Sequence, residues 1–308
     1  MPKDFLCTSD WSPAELRAML ARALELKALQ RRGQRPQTLQ GRTLAMYFEK
    51  PSLRTHVTFE AGMTQLGGHA LMLWPEQIGM GTRETPADVA RNLSRWVDCL
   101  VARTYSHALV EDLARIASIP VINGLTDFLH PCQAMADLVT VSERMELAKA
   151  KLAYVGDGNN VANSLLLACA ALGVELRLAT PESHRPATRA RRQAEGLAAQ
   201  SGARLVWSES PVEAVAGADF VYTDVWTSMG QEDEEEQRTA LFEPYQVNAR
   251  LLRHAPEAFV MHCLPAHRGQ EITDEVLDGP RSIVFDQAEN RLHAQKAVLE
   301  RVLGVESR

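Results

Sequence analysis

The sequence predicts an α/β protein of two domains, each a mainly parallel sheet flanked by helices. Short apolar runs recur between segments with helical spacing, a pattern typical of buried parallel strands joined by helices. With 308 residues, 45% of them hydrophobic, the chain is longer than a usual single domain and can bury a substantial core. The pattern restarts with a strand, a loop and a helix at Lys151, so we place the domain boundary near Glu146.

The elements follow in order along the chain. Ser12, Pro13 and Glu15 indicate an N-cap, a first-turn proline and a capping-box acid, and apolar residues at helical spacing then continue towards Gly33. The predicted strands are the apolar runs Thr43–Phe48, Ala70–Trp74, Cys99–Arg103, Pro120–Asn123, Leu152–Gly156, Glu175–Ala179, Phe220–Asp224 and Phe259–Cys263. Because ligands of open parallel sheets bind beyond the carboxyl ends of the strands, the residues after each strand are the candidate site residues.

Composition narrows the classes of function. The formal net charge of −6 gives no basic field for gathering nucleic acid or anionic lipid, which favours a small-molecule partner. The segment 1–11 contains no apolar run of the length of a signal or transmembrane segment, so we expect a cytoplasmic protein without a membrane partner. The five cysteines are widely spaced and lack paired metal-ligand spacing. We therefore expect neither disulfides nor a metal site, and we expect four of the cysteines to be small buried residues.

The first candidate site follows the strand Thr43–Phe48. The segment Ser52–Thr55 lies where a helical pattern begins, and the free N–H groups of a helix N-terminus, with two hydroxyls and the Arg54 guanidinium, suit a phosphate. An ordinary serine N-cap with a solvent-facing arginine is the alternative. By itself, this motif does not decide between the two.

Two further strand ends in the first half carry polar groups. Arg103 ends an apolar run, where an arginine is either paired within the protein or available to an anion. The run 130–133, His-Pro-Cys-Gln, follows the strand near Val121 and brings an imidazole and an amide to the same edge. A single histidine is more often structural, but this clustering favours a site.

The second half has three comparable strand ends. In the loop 156–160, Gly-Asp-Gly-Asn-Asn, Val161 stands where a dinucleotide fingerprint needs its third glycine, so the asparagines either recognise a carboxylate or carbonyl or simply cap the helix. Asp224 precedes a polar stretch that reaches Arg238, as expected of a cation-binding carboxylate beside a flexible lid. Cys263 ends a third strand, where a buried inert cysteine is the commoner case.

Taken together, these segments resemble the ornithine carbamoyltransferase family, in chain order from about Phe5 to Leu303. The resemblance implies transfer of the carbamoyl group of carbamoyl phosphate to the side-chain amine of L-ornithine, giving L-citrulline and phosphate, with no metal or organic cofactor. It makes residues 1–146 the carbamoyl phosphate domain and residues 147–285 the ornithine domain, with the C-terminal helix 286–308 packing back on the first. The matching motifs are 48–55, Ala102-Arg103, 130–133, 156–160, Asp224 with 228–230, 262–265 and 289–291.

The resemblance also assigns the site residues. Arg103, His130 and Thr55 would polarise the carbonyl, and Cys263 would position the reactants without forming a covalent bond. The carbamoyl phosphate contacts would be Ser52, Leu53, Arg54, Thr55, Gln77, Arg103, His130, Pro131, Cys132, Gln133, Cys263, Leu264 and Arg291. The ornithine contacts would be Asn160, Asp224, Ser228 and Met229.

Assembly and two departures from the family pattern complete the comparison. The family is built from trimers, and Gln77 aligns with a glutamine that reaches the neighbouring subunit's carbamoyl phosphate, so we expect a homotrimer or a multiple of trimers. Leu53 and His56 stand where the family commonly has threonine and arginine. Leu53 keeps its backbone N–H, whereas His56 weakens the positive field.

Three alternatives remain at this stage. A sister carbamoyltransferase acting on aspartate, putrescine or an N-acylated ornithine would have a similar first domain. An NAD-dependent dehydrogenase could use two parallel-sheet domains, but the missing third glycine counts against it. A non-enzymatic binding protein for an amino acid or phosphate would retain either pocket without both.

Overall fold

The structure is a computed structural model that describes residues 3–227, 233 and 235–305. Within these ranges helices and strands alternate. The strands are β1 (Thr43–Phe48), β2 (His69–Leu73), β3 (Cys99–Arg103), β4 (Val121–Leu125), β5 (Lys151–Val155), β6 (Glu175–Ala179), β7 (Leu205–Ser208), β8 (Phe220–Thr223) and β9 (Phe259–His262). The helices are α1 (Pro13–Arg31), α2 (Leu53–Gln65), α3 (Pro75–Ile78), α4 (Pro86–Trp96), α5 (His107–Ile116), α6 (Pro131–Ser142), α7 (Asn160–Leu172), α8 (Thr188–Ser201), α9 (Pro211–Val215), α10 (Glu235–Phe242), α11 (Ala249–Leu252), α12 (Asp274–Leu277) and α13 (Val284–Val302).

The predicted fold class is confirmed. The strand pairs of both sheets are parallel, and each predicted strand is present with ends that shift by at most two residues. Strand β7 was not predicted, because this four-residue strand lies at a sheet edge and each of its residues is only half-buried. Its apolar run is therefore too weak to stand out. Among the described residues, no helix combines the length and hydropathy that crossing a bilayer requires.

The first compact unit comprises Met1–Val139 and Glu289–Arg308. Its sheet has the strand order β2-β1-β3-β4. The chain runs outward from β1 to β2 and then returns to the other side for β3 and β4, so the winding direction reverses between β1 and β3. In open α/β sheets the crevice at such a reversal binds ligands. The register sets Phe48 beside Arg103 at this carboxyl edge.

The second compact unit, Thr140–Ala288, repeats this logic. Its sheet has the order β7-β6-β5-β8-β9, and the winding direction reverses between β5 and β8. The loops after β5 and β8 therefore flank the crevice, and the loop after β9 lies beside them. The boundary was predicted near residue 146, and the two units divide between Val139 and Thr140. The final helix was predicted at 286–308; it begins at Val284, and the chain belongs to the first unit from Glu289 onward.

Buried polar contacts fasten α13 to α1 inside the first unit. Ser12 caps α1 as predicted, with its Oγ accepting the N–H of Glu15. The buried Lys27 ammonium donates to Asn290 Oδ1 at 2.8 Å and lies 2.9 Å from a carboxylate oxygen of Glu289. These contacts surround the backbone that carries Arg291, so they fix where that side chain enters the unit.

His293 on α13 supplies a test of this packing through pH. It is fully buried, and burial together with Lys296, Lys27 and Arg31 lowers the pKa of its imidazole to about 3. A histidine has an ordinary pKa near 6.5, so below that pH the unfolded chain takes up a proton that the folded chain refuses. The free energy of unfolding should therefore fall as the pH falls.

We expect His293→Leu to remove this pH dependence. Between pH 7.5 and pH 5.0, wild type should lose about 2 kcal/mol of unfolding free energy relative to the variant, measured by chemical denaturation. The difference between the two proteins cancels the other titrating groups. The same substitution at exposed His69 controls for the change of residue. Parallel stability curves for wild type and His293→Leu would contradict the assignment.

Candidate active site

The segment after β1 forms a helix N-terminus, as predicted. Ser52 caps α2, and its Oγ accepts the N–H of Thr55 at 3.1 Å. The first turn carries no acidic residue, so no carboxylate of its own offsets the partial positive charge at this end. Leu53 is 74% exposed and Thr55 is buried. The helix end can therefore present N–H groups to an anion, and the Leu53 side chain points away from the buried Thr55.

Arg103 is the last residue of β3 and is held from two sides. It is 5% exposed, its Nη1 lies 3.5 Å from Thr55 Oγ1, and its Nε donates to the carbonyl of Lys50. The backbone N–H of Glu49 donates to the carbonyl of Arg103, and a Glu49 carboxylate oxygen accepts the N–H of Tyr105. These bonds join the loops after β1 and β3, so the guanidinium and the helix N-terminus keep a fixed relation.

A second buried guanidinium reaches the same hydroxyl. Arg291 on α13 is 2% exposed and donates to Thr55 Oγ1 at 2.7 Å and to Gln133 Oε1 at 2.5 Å. Gln133 lies in the first turn of α6, which begins just after β4. The structure thus brings together four predicted residues of the first unit: Thr55, Arg103, Gln133 and Arg291.

His130 lies between β4 and α6, beside these arginines. Burial, then the charges of Arg291, Arg103 and Arg54, lower its pKa well below the ordinary value. The imidazole is therefore neutral near pH 7. A neutral imidazole can donate one N–H to a carbonyl oxygen without adding another cation to a site already rich in them.

The neighbouring predicted residues differ in what they can offer. Pro131 begins α6, and Cys132 is fully buried with its Sγ 3.5 Å from the carbonyl of Asn123. Burial raises the pKa of the Cys132 thiol to about 12, so the thiol stays protonated and contributes to packing. Gln77 lies on α3 with its side chain exposed. Its predicted role at a neighbouring subunit stays a prediction.

In the second unit, Asp224 follows β8 and is surrounded by donors. It is 5% exposed; its Oδ1 accepts from Cys263 Sγ at 2.7 Å, and its Oδ2 accepts from Asn159 Nδ2 at 2.7 Å. Asn159 is also the N-cap of α7, because its Oδ1 accepts the N–H groups of Val161 and Ala162. Asp224 therefore has a fixed orientation at the carboxyl edge. Asn160 follows at the first position of α7 and is half-buried.

The loop after β9 is fixed by a buried imidazole. Leu264 has a φ of +57°, and its N–H donates to His262 Nδ1 at 2.8 Å. His262 Nε2 lies 2.9 Å from a carboxylate oxygen of Glu271, and both side chains are fully buried. This pair holds the backbone of Leu264 in its left-handed conformation, which sets the position of the preceding Cys263. The predicted role of Cys263 and Leu264 in carbamoyl phosphate binding stays a prediction.

Among the described residues, the ligand atoms of Asp224, His262 and Cys263 lie within 4.8 Å of one another, a spacing compatible with a metal ion. However, His262 Nδ1 already accepts the Leu264 N–H, and Nε2 faces Glu271. The imidazole therefore has both ring nitrogens engaged inside the protein. The geometry is better explained as support for the loop.

A buried ion pair joins the loop after β5 to the loop that follows Asp224. Arg238 on α10 donates to Asp157 Oδ2 at 2.5 Å and to the carbonyl of Trp226 at 2.6 Å. Burial raises the pKa of the Asp157 carboxyl to about 7, against the opposing effect of Arg238 and with a further upward contribution from Asp224. The predicted ornithine contacts Ser228 and Met229 lie outside the described residues.

Two supporting residues, Asp137 and Asp157, were not predicted. A third, Asn159, was predicted as a helix cap or a ligand of a carboxylate or carbonyl; it caps α7, and its bond to Asp224 was not foreseen. Asp137 accepts from Gln133, Asn159 donates to Asp224, and Asp157 pairs with Arg238. Each acts through another side chain. The available signals were the i, i+4 spacing of Gln133 and Asp137 on one helix, and the doubled asparagine and the aspartate of the loop 156–160.

Comparisons with known proteins agree with this geometry. A family model described as the carbamoyl-P binding domain of aspartate/ornithine carbamoyltransferases matches residues 3–143, and one described as their Asp/Orn binding domain matches residues 148–302. An ornithine carbamoyltransferase from Pyrococcus abyssi is 53% identical over 98% of this chain and 96% of its own length.

Solved structures extend the likeness to the fold. An ornithine carbamoyltransferase from Pyrococcus furiosus superposes with a TM-score of 0.96 at 51% identity, covering 99% of this chain and 98% of that one. The anabolic enzyme from Campylobacter jejuni superposes with a TM-score of 0.93 at 35% identity, covering 98% and 99%. The chain therefore belongs to the aspartate/ornithine carbamoyltransferase family.

Proposed function

We propose that this protein is an ornithine carbamoyltransferase that moves the carbamoyl group of carbamoyl phosphate to the side-chain amine of L-ornithine, giving L-citrulline and phosphate. The observation that carries the proposal is the meeting of two buried guanidiniums, from Arg103 and Arg291, at the Thr55 hydroxyl in the first turn of α2. Buried cations beside a helix N-terminus suit a compact dianion that also carries a carbonyl group.

The first unit would bind carbamoyl phosphate. The N–H groups of 52–54, the Ser52 hydroxyl, whose oxygen accepts the Thr55 N–H, and the Arg54 guanidinium serve the phosphate, and they stabilise it as it leaves. Arg103, the Thr55 hydroxyl and neutral His130 face the carbonyl oxygen, where negative charge develops when the amine attacks. Pro131 and Cys132 contribute through their backbone, and the Gln133 amide oxygen can accept from the carbamoyl NH₂ group. The proposal requires no metal and no organic cofactor.

The second unit would bind ornithine. Asp224 orients the α-ammonium group, with Ser228 as a second acceptor, and the Asn160 amide and the Met229 N–H bind the α-carboxylate. Asn159 and Cys263 already donate to Asp224, so its carboxylate is held ready for a cation. Cys263 acts as a positioning donor, since its thiol proton points to a carboxylate.

Proton chemistry sets the pH dependence of the proposed reaction. The attacking amine must be neutral, and a lysine-like amine has an ordinary pKa of roughly 10.4. Only a small fraction is nucleophilic near pH 7, so the rate should rise with pH. Names of two relatives, from Pyrococcus furiosus and Campylobacter jejuni, include the word anabolic, which supports the direction of citrulline synthesis and arginine biosynthesis. We further propose that the enzyme acts in the cytoplasm.

We also propose a homotrimer, or a multiple of trimers, in which Gln77 reaches a neighbouring subunit's carbamoyl phosphate. Large apolar side chains are exposed where α2 approaches the end of β2: Leu53 at 74%, Val57 at 50% and Trp74 at 43%. The ring contact between His56 and Trp74 joins the two elements. Exposed apolar side chains beside an edge strand favour association with another subunit.

The assembly proposal predicts the effect of a single charge. Trp74→Glu should convert a particle of about three times 34.1 kDa into monomers, because a buried carboxylate would face an apolar partner surface. Light scattering after gel filtration measures the mass. Trp96→Glu is the control, since Trp96 is 71% exposed at the end of α4, a helix whose buried residues pack with those of α5 and β1. A monomeric wild-type protein with full activity would rule the trimer out.

The proposed activity is tested by incubating the purified protein with carbamoyl phosphate and L-ornithine and measuring citrulline. We expect citrulline to form only when both substrates are present, with one phosphate released per citrulline. A protein that binds either compound without forming citrulline would instead be a binding protein. Activity with L-aspartate in place of ornithine would assign it to the other branch of the family.

A further inference from the structure

Asp137 makes a buried hydrogen bond to Gln133, a residue predicted to contact carbamoyl phosphate. It lies one helical turn after Gln133 on α6, and both side chains are almost inaccessible, at 0% and 1% exposure. Gln133 Nε2 donates to Asp137 Oδ1 at 2.7 Å, while Gln133 Oε1 accepts from Arg291 at 2.5 Å. The amide is therefore held at both ends: its oxygen accepts from a guanidinium, and its NH₂ group donates to a carboxyl oxygen.

The chemistry of these partners permits only one orientation of the amide. A guanidinium has donors and no acceptor, whereas an ionised carboxylate has acceptors and no donor. Rotation of the amide by 180° would set its NH₂ group against Arg291 and its oxygen against Asp137, so both contacts would become repulsive. The oxygen of Gln133 is thus held on the side of Arg291 and Thr55, where carbamoyl phosphate is proposed to bind.

We propose that Asp137 is a positioning residue that makes the site selective for a carbamoyl group over an acetyl group, an inference that rests on the proposed function. An amide oxygen in the pocket accepts from the carbamoyl NH₂, whereas acetyl phosphate carries a methyl group there and has nothing to donate. A flipped amide would present its own NH₂ group to the carbamoyl NH₂, and the preference would disappear. Asp137 contacts Gln133, and it acts on the substrate only through that side chain.

The selectivity is measured as the ratio of the acetyl phosphate inhibition constant to the KM of carbamoyl phosphate. Both compounds carry the same phosphate, so general damage to the pocket raises both constants together and leaves their ratio unchanged. In Asp137→Asn the carboxamide can either donate or accept, so only Arg291 still opposes the turned orientation of the Gln133 amide, and that orientation becomes accessible. We expect the ratio to fall by about tenfold, with most of the change in the KM of carbamoyl phosphate.

A double variant provides the rescue. In Gln133→Glu/Asp137→Asn, the new carboxylate presents an oxygen to the pocket in either orientation, and the new amide can donate to it. The ratio should return towards that of wild type. This variant also keeps a buried hydrogen bond at 137, so it remains informative if Asp137→Asn alone does not fold. Val139→Ala is the matched control, because it removes buried volume from the same helix, and it should lower the melting temperature without changing the ratio.

The outcomes separate this inference from the proposed function. Wild type that forms citrulline, with an Asp137→Asn ratio equal to that of wild type, overturns the role of Asp137 and leaves the activity intact. A double variant whose ratio stays low overturns the orientation argument in the same way. A lowered ratio in Asp137→Asn together with recovery in the double variant supports the proposal. Wild type that forms no citrulline contradicts the proposed function itself.

Discussion

Arg103→Ala is expected to lower kcat/KM for carbamoyl phosphate by about 10²–10³-fold, because it removes a buried donor that, in the proposed mechanism, faces the oxygen on which charge develops. The loss should be large because Arg103 is 5% exposed and is fixed by bonds to the loops on both sides of it. The pre-organised geometry costs no reorganisation during the reaction. Steady-state kinetics with saturating ornithine measures the effect.

Two variants make this result specific. Arg103→Lys keeps the positive charge but loses the planar fork, so it should recover only part of the activity. Arg42→Ala is the matched control, since Arg42 forms a surface ion pair with Asp98 before β1, and such pairs contribute little. Circular dichroism should show folded protein in every case. Near-normal turnover by Arg103→Ala would remove Arg103 from the proposed mechanism.

Ornithine is expected to exceed putrescine and N-acetylornithine in kcat/KM by about 10²-fold or more, because the proposed ornithine contacts of the second unit include partners for both charged α-groups. Putrescine lacks the carboxylate, so the contacts proposed for Asn160 and the Met229 N–H would have no partner, and a polar group left unmatched in a site closed to water costs about 1–3 kcal/mol. N-acetylornithine lacks the ammonium charge that Asp224 would bind. Equal efficiency with either compound would identify a sister activity.

Asp224→Asn tests the same claim within the protein. The carboxylate accepts from Asn159 and Cys263 and is 5% exposed, so an amide there would lose the charge and face a donor with its own NH₂ group. We expect kcat/KM for ornithine to fall by about 10²-fold, with the KM of carbamoyl phosphate nearly unchanged. Asp219→Asn is the matched control, because Asp219 precedes the opposite end of β8 and bonds the N–H of Lys151. An equal loss in both variants would indicate a structural effect.

The carboxyl ends of the strands could be predicted because the apolar runs mark the strands themselves. Thr55 and Arg103 meet in the structure because β1 and β3 are neighbours at the reversal of winding, and that neighbour relation follows from a general rule of open sheets. Arg291 was placed by family resemblance, since nothing in its local sequence indicates that α13 reaches Thr55. β7 was missed because a half-buried edge strand has no continuous apolar run.

The residues that orient other side chains were harder to predict. Asp137 and Asn159 each touch a predicted ligand, but such contacts depend on rotamers that no spacing rule specifies. The structure shows where the two residues that depart from the family pattern, Leu53 and His56, are located. Leu53 points outward, and His56 makes edge contacts with the rings of Phe48 and Trp74 and an ion-pair distance of 3.1 Å to Glu60. Neither replaces a group that caps α2, because Ser52 does this.

The most direct test of the proposed function follows the carbamoyl carbon during the reaction. Carbamoyl phosphate labelled with ¹³C is mixed with the protein and equal concentrations of L-ornithine, putrescine, N-acetylornithine and L-aspartate, and ¹³C and ³¹P NMR spectra are recorded together. We expect the label to appear in citrulline, in step with inorganic phosphate, while the other amines remain unlabelled. Label in another amine, or phosphate release without citrulline, would contradict the proposed function.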